Sequence, residues 1–108
     1  MSAPVTPATD WQWPVDVLDY AAERGVQAYL EPLREAVYRI FPTVQGLRIF
    51  VEQDQELRDV RWIVFEVEVP KQDVPDFVQA VHAFGDEKRR ICPGPLGCEF
   101  CLTLLRIP

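Results

Sequence analysis

Apolar and polar residues alternate most regularly from Val60 to Val69, VRWIVFEVEV. Ile63, Phe65, Val67 and Val69 fall on one face of an extended chain, and Trp62, Val64, Glu66 and Glu68 on the other. Period-two alternation rich in β-branched and aromatic residues predicts a half-buried strand, ended by Pro70. Gly46 to Gln53 repeats the pattern, with Leu47, Ile49 and Val51 set against Arg48, Phe50 and Glu52. Asp54 to Asp59 is a polar connector, so the two strands are expected as an antiparallel hairpin. Cys98 to Ile107 is almost continuously apolar and predicts a third strand.

Helical spacing takes over elsewhere. From Pro14, suited to a first turn, Val17, Leu18, Ala21 and Ala22 form a short stripe, and Gly25 either ends that helix or only weakens it. Val26, Tyr29, Leu30, Leu33, Val37, Ile40 and Phe41 resume it. Pro32 lies inside this run, where it removes a hydrogen bond and crowds the preceding turn. A kink or a fresh start at Glu31 is expected, and Pro42 stops the helix. After the second strand, Asp73 is expected as an N-cap with Pro75 in the first turn. Val74, Phe77, Val78, Val81 and Phe84 then make an apolar face, and Lys88, Arg89 and Arg90 complement the C-terminal dipole. Residues 92–97, CPGPLG, predict a rigid turn.

The predicted order is α-β-β-α-β. The fold class is α+β, a two-layer sandwich with helices on one face of a small, mostly antiparallel three-stranded sheet. A crossover through the second helix places the third strand in that sheet. The order resembles a ferredoxin-like fold without its first strand, a likeness of topology that implies no function. Residues 1–108 are expected as a single domain, with residues 1–10 a loose N-terminal tail.

Charge narrows the partners. The chain carries a formal charge of −6, which repels phosphate backbones and disfavours nucleic acid. A protein partner, basic in character, or a second copy of the chain fits better. No apolar run approaches the roughly 20 residues that cross a bilayer. The opening MSAPVTPATDW lacks the basic and apolar regions of a secretory signal, so a cytoplasmic location and no membrane contact are expected. Three cysteines, an odd number, argue against a fully paired disulfide framework.

The candidate chemistry is sparse. Cys98 and Cys101 form a CxxC pair, and with Cys92 and His82 they make a composition that structural zinc accepts. The C-x5-C-x2-C spacing is not that of a standard ribbon or finger. In a strand, moreover, Cys98 and Cys101 point to opposite faces. Reduced cysteines packed as small hydrophobes are the simpler reading, and no cofactor is expected. Glu52, Glu66 and Glu68 could gather a divalent cation for hydrolysis, but alternating Glu beside Arg48, Arg58 and Arg61 more often makes a solvated sheet face. The single His limits any nucleophile–base device to His82.

With both helices on one side, the other sheet face meets water or a partner. Phe50, Trp62 and Val64, with Leu105, form its apolar centre, and Glu52, Glu66 and Glu68 its acidic rim. Trp11 and Trp13 either fold across that face or leave it open. The sequence therefore points to a non-enzymatic protein-interaction domain, such as an antitoxin- or immunity-type inhibitor or an accessory subunit. The alternative is a metal-binding domain or small metal-dependent enzyme using the Cys/His set or the carboxylates.

Overall fold

The computed structural model describes residues 12–108, apart from the side chain of Cys98, so the expected N-terminal tail lies outside the described residues. In chain order the elements are α1 (Val15–Arg24), α2 (Leu30–Ile40), β1 (Gly46–Gln53), β2 (Arg61–Pro70), α3 (Phe77–Ile91) and β3 (Phe100–Ile107). The sheet order is β1-β2-β3, so the alternating β2 segment is the central strand. β1 runs antiparallel to β2, and β3 runs parallel to it. The sheet is therefore mixed rather than mostly antiparallel, because a strand that returns through a helical crossover comes back in its original direction. β2 and β3 are also direct neighbours. The slot that a split β-α-β unit keeps open for another strand, as in a ferredoxin-like sheet, is closed here.

Local chemistry sets most boundaries. Gly25 adopts φ 73°, the left-handed conformation that closes α1, and its N–H bonds to the Ala22 carbonyl at 3.2 Å. A single 3₁₀ turn, Gln27–Tyr29, separates α1 from α2. α2 begins at Leu30, so Pro32 sits in its first turn, where a missing N–H costs nothing.

Two boundaries differ from the sequence reading. α3 is capped by Asp76, whose carboxylate accepts the Gln79 N–H at 3.0 Å, and not by Asp73. Pro75 disfavours helical geometry at Val74, so Lys71–Asp73 forms only a 3₁₀ turn and the helix starts beyond the proline. The third strand begins at Phe100 rather than Cys98, because a 3₁₀ turn runs from Gly94 to Glu99.

The inward residues Ile49, Ile63, Phe65, Val67, Val69 and Phe100 pack with residues of all three helices in one buried cluster. Phe65 lies at its centre, with ring centroids 5.9 Å from Phe84 and 6.2 Å from Phe100. Arg34 of α2 is only 2% exposed. It donates to Glu31 at 2.9 Å, and its guanidinium lies 5.6 Å from the Tyr38 ring centroid. Such pairing is what a buried cation requires. Glu31 also accepts the Trp13 indole N–H at 3.1 Å, which ties the N-terminal approach to α2.

Candidate interaction site

The sheet face turned away from the helices is a grid of three strands. One row sets Phe50 opposite Val64 and Val64 opposite Cys101; the next sets Arg48, Glu66 and Thr103 side by side; a third sets Gly46, Glu68 and Leu105. Glu52 and Trp62 pair at the other end. Phe50, Trp62 and Val64 thus do lie together. Leu105 lies two rows away, beyond the charged row.

Much of this face is occupied by its own side chains. Val64 is 1% exposed, and Phe50 and Trp62 are half-buried. The Arg48 guanidinium sits 4.5 Å from the Phe50 ring centroid and pairs with Glu66 at 3.2 Å. Glu66 is therefore paired, while Glu52 and Glu68 are exposed. Glu68 leans over Gly46, where a Cβ would come within 3.0 Å of its Oε1. Trp13 packs against the core cluster beside α2, so it is not the cover of this face; Trp11 lies outside the described residues.

The larger apolar exposure is on α3. Phe77 is 44% exposed, Val78 62% and Val81 36%, although all three belong to the helix's apolar stripe. The packing explains this. α3 meets α2 along one flank, where Arg39 reaches Glu87 and a groove of about 210 Å³ runs between Ile40, Phe41, Ala80 and Ala83. With about 3.6 residues per turn, Val78 lies opposite that flank, and Phe77 and Val81 lie between it and the core. That side overhangs β3. The Arg106 guanidinium of β3 sits 5.8 Å from the Phe77 ring centroid and donates to the Val74 carbonyl at 3.4 Å, and Lys88 donates to the Phe100 carbonyl at 3.1 Å. A three-stranded sheet is too narrow to cover the whole stripe. Among the described residues β3 is an edge strand, with Leu105 41% exposed. Periodicity identified the stripe but carried no signal of which half would be covered.

The far end of the sheet is a polar latch. The Tyr20 hydroxyl lies 2.7 Å from the Arg61 carbonyl oxygen, to which it can donate, and 2.6 Å from Glu99 Oε1. Its single proton serves one acceptor at a time. Burial, then the hydrogen bond to Glu99, pushes the Tyr20 hydroxyl up to about 12. Arg24 pairs with Glu99 at 3.0 Å and Arg61 with Glu23 at 3.5 Å, closing α1 onto the sheet. An open cleft of about 400 Å³ beside it is lined by Asp16, Asp19, Tyr20, Glu23 and Arg61, together with Val51 and Gln53.

Of the zinc candidates, the three whose side chains are described are dispersed; the Cys98 side chain is not among those described. Cys92 is buried in the core cluster, and burial raises its thiol. His82 is exposed on α3, and Cys101 is exposed on the sheet face away from the helices. Among the described residues no group of three or more His, Cys, Asp or Glu side chains could hold a metal ion. No helix among them is long and apolar enough to cross a membrane. Comparison of the chain with protein-family models, curated proteins and solved structures finds no match in any of the three.

Proposed function

We propose that this chain is a protein-interaction domain with no chemistry of its own, and that its docking surface is the flank where α3 overhangs β3. One observation carries the reading: Phe77, Val78 and Val81 stand exposed on one side of a helix, directly beside an edge strand. Exposed apolar residues clustered beside an unpaired strand edge are costly in water, and proteins that keep such a surface usually cover it with a partner. The partly sealed open sheet face, with Glu52 and Glu68 exposed, is the secondary surface, available to a basic protein. An antitoxin- or immunity-type inhibitor and an accessory subunit would both work through such contacts.

The test is affinity capture from the cell that makes the protein, with stoichiometry read by mass spectrometry. The bait is the wild-type chain, a Val78→Lys/Val81→Lys double variant, or Trp62→Lys. A protein captured at fixed stoichiometry by the wild type and by Trp62→Lys, but not by the double variant, is the expected result. Capture lost only with Trp62→Lys would move the site to the open sheet face. Capture of neither another protein nor the untagged chain itself at fixed stoichiometry would end the interaction reading.

A further inference from the structure

We infer that the partner at this flank is a second copy of the chain. β3 would pair antiparallel with its counterpart about a two-fold axis at Thr103, making one continuous six-stranded sheet. The inference rests on the α3–β3 flank being the docking surface.

The strand itself supplies the first argument. Among the described residues β3 pairs only with β2, so one side of its backbone ladder is open. Edge strands that must stay single are usually blunted by lysine, proline or a bulge. Phe100–Ile107 contains neither lysine nor proline, has Arg106 as its one charge, and pairs with β2 over eight consecutive residues without a bulge. It is a long apolar edge with no device against pairing.

The register follows from the faces. Residues directly opposite in an antiparallel pair point to the same side of the sheet. The α3 flanks of two copies meet only if the helices share a side, so inward residues must oppose inward residues. The register that satisfies this and pairs Phe100 through Arg106 sets Thr103 opposite itself. Leu102 then faces Leu104, Cys101 faces Leu105, and Phe100 faces Arg106. The exposed pairs are apolar on apolar or hydroxyl on hydroxyl. The Phe100 ring stays in its own core and Arg106 stays over Phe77, so the two arginines lie at opposite ends of the paired strands, away from each other. Lys88 already holds the Phe100 carbonyl, which stops the new ladder at its end.

Charge is the second argument. Two chains of −6 repel each other overall. This flank adds no negative charge to that repulsion: β3 carries no carboxylate, and α3 from Phe77 to Gly85 carries none either. The apolar side of α3 then approaches its own copy across the axis, and Val78, the most exposed of the three, is buried in both copies at once.

The experiment is sedimentation equilibrium on the purified chain and on Thr103→Lys and Thr103→Glu, alone and mixed in equal amounts. Far-UV circular dichroism checks that each stays folded. The expected result is a wild-type dimer. Each variant should dissociate about tenfold or more readily, because like charges face each other on the axis, and the mixture should recover dimer as opposite charges meet. A dimer indifferent to both substitutions overturns the β3 pairing. A wild-type monomer at all concentrations overturns the second copy as partner. If that monomer still captures a different protein that Val78→Lys/Val81→Lys fails to hold, the docking surface survives while the self-pairing does not.

Discussion

Within eleven residues α2 buries Leu30, Leu33, Arg34, Ala36 and Val37, whereas the fifteen-residue α3 buries Phe84 alone. Both helices carry an apolar stripe of ordinary width, and their local sequences do not announce the difference. α2 packs against α3, and its Leu30, Leu33 and Val37 enter the core cluster shared with α1 and the sheet. α3 is gripped by α2 on one flank and by the Phe65 ring beneath, and its other flank hangs past the last strand. A stripe at helical spacing measures how much apolar surface a helix offers. How much is covered depends on the width of the layer beneath it.

The contrast can be broken most severely at Phe84. Phe84→Ala should cost about 3–5 kcal/mol in urea unfolding, since the side chain fills the space against Phe65. It should also release α3 selectively, so α3 amides exchange faster while α2 stays protected. Leu33→Ala should cost about 2–5 kcal/mol but lower protection throughout, because its neighbours belong to the whole core. Uniform loss of protection in Phe84→Ala would show that α3 is not hung from one residue.

A smaller effect reads the α2–α3 seam. Hydrogen bonds from Arg90 and from Arg39 hold the Glu87 carboxyl down at about 2. A carboxylate with a depressed folded pKa stabilises above its unfolded pKa and loses that contribution as pH falls through the folded one. Stability should therefore fall between about pH 4.5 and pH 2 in the wild type, and fall less in Glu87→Gln. The pair is near the surface, so the difference should not exceed about 1 kcal/mol. Equal acid slopes would remove this seam from the account. The smallest effect belongs to the overhang: Val78→Ser, on a residue 62% exposed, should change monomer stability by no more than about 0.5 kcal/mol. A loss above 1 kcal/mol would mean that Val78 is packed within the monomer.

These elements also mark how far the sequence could be read. β1 and β2 follow from period-two alternation, and their faces came out as the spacing required: Ile63, Phe65, Val67 and Val69 are all in the core. Gly25 and Pro32 mark the end of α1 and the first turn of α2 because each restricts the backbone locally. What failed to show was non-local. Asp73 and Asp76 are equally good caps by type, and the constraint that Pro75 places on Val74 decides between them. The parallel return of β3 was already implied by the helical crossover; what the crossover did not give is that β3 lies directly beside β2. Val64 carries the alternation of an outward residue yet is 1% exposed, since alternation fixes the side and says nothing of its cover. The exposed Phe77, Val78 and Val81 are the same failure in reverse.

The parallel β2–β3 pairing also has a kinetic side. The β1–β2 hairpin closes over residues 54–60, whereas β3 reaches β2 only after residues 71–99 have been gathered in. By loop length alone the second closure costs about 1 kcal/mol more in chain entropy. The hairpin can therefore form early, and the third strand should join late. In a chevron, substitutions in β1 or β2 should slow folding, and those in β3 should mainly speed unfolding. The strand that arrives last is then also the first to let go.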